Sequence, residues 1–322
     1  MPPPTSSTPE ILTFGEAMAM FVAEASGELA EVERFQRRIA GADTNVAIGL
    51  ARLGFRVGWL SRVGADSFGA FIQQTLETEG VDCRHLRVDP EHSTGLLFKE
   101  RDTSGTDPRV EYFRRGSAAS HLTIEDADGI DFAALRHLHA TGIPPALSDS
   151  CHALSETLLK RAREAGASIS FDPNLRPGLW PSETVMRKTL NKLAVRADWV
   201  LPGLAEGRFL TGHDTPEAIA DFYLEQGAQA VFIKLGPEGS YYRGNLGGAK
   251  SELHCAWRTG NRGGRYRGSR GWLCGGGGQR PPRRLLAGAG GTPWQSTRLT
   301  GRAGNRRYGR PAKPSAPHRT GS

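Results

Sequence analysis

From residue 11 to about residue 242, short apolar runs alternate with stretches whose apolar positions recur every three to four residues. ILTFGEAMAMFV, opening at Ile11, reads as a first strand. TNVAIGLARLG carries Val46, Ile48, Leu50, Ala51 and Leu53 on one side, the spacing of a helix laid on a sheet. Gly54 suits its C-terminal end. FRVGWLSRVG is the next strand, and SFGAFIQQTLETEG a helix capped by Ser67 with Gly80 past its end. TGLLFKERD and RVEYFRR flank the turn-rich TSGTDP and predict a hairpin with few helical partners. The rhythm then repeats: LRHLHATGI, ALSETLLKRAREAG and SISFDPN, followed by KLAVRADWVLPG, IADFYLEQGA and AVFIKLGPEGSYYR. Strands alternating with helices of this length predict an α/β fold. The expected form is a mostly parallel sheet flanked by helices on both faces, with a small β-sheet lid near 94–116.

After Lys250 the rhythm stops and Gly, Arg and Pro dominate. The organisation expected is therefore a disordered segment over 1–10, one domain over 11–254, and a disordered basic tail over 255–322. Charge sharpens the boundary. The tail holds 15 of the 41 Lys and Arg and none of the 34 Asp and Glu, leaving an acidic body with 26 basic residues. Such asymmetry suggests an anionic partner. With Tyr266, Trp272, Trp294 and Tyr308 interleaved, the tail has the composition of a non-specific single-strand binder. The four cysteines show no CxxC or metal-ligand spacing and read as reduced thiols of a cytoplasmic protein. No apolar run is long enough to span a membrane, and no signal peptide is read at the N-terminus.

Four motifs carry candidate chemistry. AGADTNVAIGLARLG puts Gly41, Asp43 and Asn45 at a helix start, where small residues admit a ligand to the backbone. A plain turn explains the same letters. FDPNLRPGLW follows a strand, and ligands of open α/β sheets bind beyond the carboxyl ends of strands. Its Arg176 suits a carboxylate or phosphate, or serves as a surface ion-pair partner. In VEYFRRGSA, Tyr112 and Arg114 share a strand face, suiting a polyhydroxy acid or else a solvated edge. IKLGPEGSYY places Gly236 and Gly239 after a strand, where they can border a nucleotide. It is not a P-loop, since GxxxxGKS/T is absent.

Taken in order, these segments, with RVGADSFG, ATGI and VLPGLAEGRFLTG, resemble the ribokinase-like (PfkB) carbohydrate kinases over about residues 11–250. YFR with FDPNLRPGLW leans towards the members that phosphorylate 2-keto-3-deoxygluconate to its 6-phosphate. Fructokinase and ribokinase types share the wider pattern. The resemblance implies ATP and Mg2+ as cofactors and a sugar acid as substrate. It implies that Arg114 and Arg176 bind the acid's carboxylate, with Tyr112, Gly41, Asp43 and Asn45 also against the sugar. It gives Glu206 to magnesium and phosphates, with Lys234, Gly236 and Gly239 on the nucleotide side. The match departs from the family at Gly203, where Asn is expected, and at Ala40, where Gly is expected. Many such kinases pair through the lid, so a homodimer is one option.

The family also carries DTxGAGD near its C-terminus. Its glycines free backbone N–H groups for the transferring phosphate, and its Asp is the base. That signature is not found in these 322 residues. Reading the tail one base over changes this. Each shifted codon takes the second and third bases of one codon and the first of the next. Trp has the single codon TGG, so Trp257, Trp272 and Trp294, with their neighbours, are each fixed as Gly. In this frame residues 263–280 permit VVDTVGAGDGFAVGVVSA, with the catalytic Asp at the place now occupied by Gly271. The expectation is one extra base near His254–Cys255, a catalytically inactive chain, and a sheet left incomplete on its C-terminal side. A frameshift through GC-rich DNA also accounts for the Gly, Arg and Pro of the tail, so no specific nucleic-acid partner is expected.

Overall fold

The computed structural model describes residues 8–101, 108–244 and 251–255. Thirteen strands fall in this region: β1 Ile11–Phe14, β2 Met18–Ala23, β3 Phe35–Ala40, β4 Val57–Gly64, β5 Leu86–Asp89, β6 Leu96–Lys99, β7 Val110–Phe113, β8 His137–Thr141, β9 Ser168–Asp172, β10 Trp199–Val200, β11 Ala230–Lys234, β12 Ser240–Gly244 and β13 Ser251–Cys255. The α-helices are α1 Ala42–Arg52, α2 Ser67–Thr78, α3 Pro144–Leu147, α4 Asp149–Glu164, α5 Glu183–Ala194, α6 Leu204–Thr211 and α7 Pro216–Glu225.

Nine strands form one sheet in the order β13-β12-β11-β10-β9-β8-β1-β4-β5. From β5 to β11 the pairing is parallel, and β12 and β13 add an antiparallel edge. All four residues of β1 are buried, as a central parallel strand covered on both faces requires. Alternate side chains serve different layers. Leu12, Phe14, Leu138, Ile169, Phe171 and Val231 join the core that includes residues of α4, α5, α6 and α7. Ile11, Val57, Trp59 and Val63 face α1 and α2. Further along that second face, Trp199 and Phe232 are only half-buried.

The expected single strand ILTFGEAMAMFV is two strands in two sheets. Gly15 (φ 148°) ends β1, and a Cβ there would lie 2.3 Å from Asp43 Oδ2. Only glycine lets the chain turn so close to α1 and cross to β2. β2 then belongs to a four-stranded sheet, β3-β2-β6-β7, in which the predicted hairpin supplies β6 and β7. The strand β3 was not expected. It is short on buried residues, so its pattern carries little signal. Phe98 contacts Phe21, Phe35 and Phe113 across this small sheet.

The cap of α2 is Asp66 rather than Ser67. Its Oδ1 accepts from Phe68 N and Gly69 N at 2.9 and 2.8 Å, and its Oδ2 accepts from Thr94 N at 2.8 Å. One carboxylate thereby fixes the helix start and the segment entering β6. In the segment expected to be disordered, Glu10 pairs with Arg56 and Arg136. Nearly all of the basic tail, 256–322, lies outside the described residues, as does the proposed frame-shifted signature.

Candidate active site

Strand order reverses about β1: β4 and β5 lie on one side, and β8 to β11 on the other. The crevice beyond the carboxyl ends of β1 and β8 is the place where such sheets bind ligands. Asp43, in the first turn of α1, sits there fully buried. Among the described residues neither of its carboxylate oxygens has a well-aligned hydrogen-bond partner. Burial pushes its carboxyl up to about 7, and the charge of Asp172 adds to the rise. The Thr141 hydroxyl and Arg114 pull the other way. Gly41 precedes the helix, and a Cβ there would lie 2.5 Å from Thr44 Oγ1 and 2.8 Å from Glu16 O. Asn45, one turn along, is exposed.

Arg114 enters from the lid, just after β7, and is 9% exposed. Its guanidinium contacts the carboxylate of Glu16, which is 2% exposed. Ser117 Oγ donates to the other Glu16 oxygen at 2.6 Å. Burial pushes the Glu16 carboxyl upwards, while Arg114 and Ser117 oppose it. The ionic contact is not a well-aligned hydrogen bond: Arg114 Nε and Nη2 and Glu16 Oε2 are buried without one. Tyr112 is 48% exposed on the edge strand, and its ring lies 5.9 Å from the Arg114 guanidinium. The solvated-edge reading therefore fits Tyr112 and fails for Arg114.

The loop after β9 forms the other wall. Asn174 adopts φ 43°, unusual for a side-chain-bearing residue, and its N–H donates to Asp172 Oδ1 at 3.2 Å. Arg176 is half-buried and donates to the Leu175 carbonyl at 2.7 Å. No acidic side chain among the described residues pairs with it. Glu206, in the first turn of α6, accepts from Leu175 N at 2.9 Å and Gly203 N at 2.6 Å. It thereby ties this loop to α6. Lys234, at the end of β11, holds Asp172 at 2.7 and 2.9 Å and lies 3.7 Å from Glu206. Burial lowers the proton affinity of Lys234, but the two carboxylates outweigh it and hold the ammonium above its usual range. Gly236 and Gly239 make the β11–β12 turn, with no side chain within 4 Å of a Cβ built on Gly236.

The structure thus brings Asp43, Arg114 and Asp172 within electrostatic reach at one end of the sheet. Gly271 lies outside the described residues. Sequence reasoning missed Glu16 and Ser117, and quoted Asp172 and Thr141 without giving them a role. Glu16 did leave a signal, because a carboxylate inside an apolar run needs a buried partner. A Cβ built on Gly236 meets no atom of the described residues within 4 Å, and each Glu206 oxygen accepts one backbone N–H and keeps a lone pair, a donor set that fits water around a magnesium ion.

Asp43 has a pH signature. Its carboxyl is raised in the fold relative to an unfolded chain, so the folded state holds the extra proton between about pH 4 and 7. The contribution is full below that window and is lost as pH rises through about 7. Asp43→Asn should remove this loss. The stability gap between variant and wild type should widen in favour of the variant by roughly 3–4 kcal/mol from pH 4.5 to pH 8. Urea unfolding at both pH values reads it. The buried His137 and His139, lowered to about 3 and 4 by burial, contribute the opposite slope in both proteins and cancel in the difference.

Comparison with known proteins agrees with this geometry. The model of the pfkB family of carbohydrate kinases matches residues 8–257. The chain is 52% identical over 235 residues to 2-dehydro-3-deoxygluconokinase of Bacillus subtilis (strain 168), covering 73% of this chain and 72% of that relative. The crystal structure of a PfkB protein from Polaromonas sp. JS666 superposes with a TM-score of 0.73 at 49% identity, over 77% of this chain and 83% of that one. A ribokinase II structure of E. coli in complex with ATP and Mg2+ gives a TM-score of 0.69 at 25% identity, over 77% and 78%. No described helix is long and apolar enough to cross a membrane. With the family model spanning the whole described domain, and the ribokinase-like sheet, lid and polar crevice in place, the chain belongs to the PfkB family of carbohydrate kinases.

Proposed function

We propose that the reaction built into this fold is transfer of the ATP γ-phosphoryl group to 2-keto-3-deoxygluconate, giving the 6-phosphate. The observation that carries it is the complementary pair of unsatisfied groups in the crevice. Arg114 offers buried N–H donors at Nε and Nη2, and Asp43 offers two buried acceptor oxygens. A sugar acid brings an anion for the first and hydroxyls for the second. A neutral ketose has no anion, so Arg114 Nε would stay without an acceptor, at a cost in affinity. Arg176, with no acidic partner among the described residues, is the second cation for the carboxylate. The 52% identity to a 2-dehydro-3-deoxygluconokinase supports the same substrate.

ATP supplies the phosphoryl group, and Mg2+ offsets its charge. On this reading Lys234, Gly236 and Gly239 border the nucleotide, and Glu206 holds water around the metal. The proton acceptor for the sugar hydroxyl is the Asp encoded one frame away at residue 271. Residues 255–322 are then displaced codons, with no part in binding nucleic acid. The family match ends at residue 257, three residues past His254, where the frame is inferred to slip. Use of ATP as the donor supports a cytoplasmic reading.

Titration calorimetry on the purified chain tests the substrate. The acid should bind at least about a hundredfold tighter than fructose or ribose, because a site built around a polar group rejects the analogue that lacks it. Equal affinities, or a preference for a neutral sugar, would sink the reading.

A further inference from the structure

We propose that Glu16 is an internal counter-ion that competes with the substrate's carboxylate for Arg114, so that it stabilises the empty site and weakens binding of the acid. The inference rests on the sugar-acid reading above.

The geometry is specific. Glu16 lies in the link between β1 and β2, the crossover from the main sheet to the lid. Its side chain is fully buried, and its Oε2 contacts Arg114 Nη2 without a well-aligned hydrogen bond. Oε1 is held by Ser117 Oγ at 2.6 Å. Gly95, entering β6, leaves room for it, since a Cβ there would lie 2.6 Å from Oε1. Arg114 Nε is buried without an acceptor and Nη2 already faces Glu16, so an incoming carboxylate must take the guanidinium edge beside Glu16.

Two carboxylates sharing one guanidinium repel each other, and more so out of water. The other charged or titratable groups in reach are Asp43 on α1 and Cys151 on α4. Neither supplies a cation to Glu16. Without a ligand, Glu16 keeps Arg114 from being a lone buried charge. With a ligand, it becomes the surplus anion. A residue that only shaped the site would act differently: its loss would weaken stability and affinity together.

The discriminating variant is Glu16→Gln, which keeps the shape and one acceptor for Arg114 and removes the charge. It should lower the melting temperature by several degrees. It should also bind 2-keto-3-deoxygluconate roughly tenfold tighter by calorimetry, the order expected for removing one near charge. Weaker or unchanged binding of the acid by a folded Glu16→Gln protein overturns the proposal. Ser117→Ala provides a second arm that keeps the ion pair. It removes the hydroxyl that favours the ionised Glu16, so the acid should bind about twofold tighter. Weaker binding there also overturns the proposal. If the wild-type chain binds fructose as well as the acid, the substrate reading fails first and is seen to fail separately.

Discussion

If the proposed frame slip is right, deleting one base at the codons for His254 and Cys255 is expected to give a sugar-acid kinase far more active than the 322-residue chain. In the present frame, the family's DTxGAGD signature is missing. With it go the base that accepts the hydroxyl proton and the backbone N–H groups that stabilise the transferring phosphate. The first is worth about 10²–10⁴ in rate and the second about 10²–10³. Such groups act as a unit, so the product is only a guide. A gain of at least about 10⁴ in kcat/KM is the expected result. The proposed sugar groups Asp43, Arg114 and Arg176 precede the proposed slip and should be unaffected by it. The 322-residue chain should therefore bind the acid while releasing no ADP above background. An ADP-release assay on both proteins decides. Comparable turnover by the unaltered chain, or none by the corrected one, would refute the frame argument. Sequencing the DNA across these codons gives an independent check.

Arg114→Met should have the second-largest effect, and on two readouts at once. It removes the guanidinium expected to take the acid's carboxylate, so acid binding should fall by about 10²-fold or more. It also leaves Glu16 buried without its cation. Breaking a buried pair from one side costs about 3–5 kcal/mol. Glu16 can relieve part of this by taking up a proton, because burial already pushes its carboxyl upwards. For a domain of this size the melting temperature should drop by about 8 °C or more. Adding Glu16→Gln should recover much of the stability, since the lone anion is then gone. Acid binding should stay lost in the double variant. Thermal melts and calorimetry on the four proteins close the cycle, and full retention of acid binding in Arg114→Met would remove Arg114 from the site.

How far the sequence reached can be judged residue by residue. The alternation of strand and helix, the parallel main sheet and the β6–β7 hairpin followed from local periodicity and turn chemistry. These properties reside in neighbouring residues, so they can be read from the chain. The motif resemblance found the family for the same reason: its signatures are short and contiguous. Its site residues were legible as letters but not as partners. Arg176 looked equally suited to a surface ion pair until the fold left it without an acidic neighbour among the described residues.

The failures share one cause. ILTFGEAMAMFV reads as one strand because its apolar pattern barely falters. The break at Gly15 is decided by Asp43, whose carboxylate occupies the space a side chain would need. Ser67 looked like the cap of α2, and Asp66 took the role because it also receives Thr94, 28 residues later. The Glu16–Ser117 bond closes over 101 residues, and Lys234–Asp172 over 62. No window along the chain contains both members of such pairs. The sequence by itself determined the elements, their order and the kinship. Only the tertiary structure decided which charges are buried, and a buried charge is set by whatever the fold brings against it.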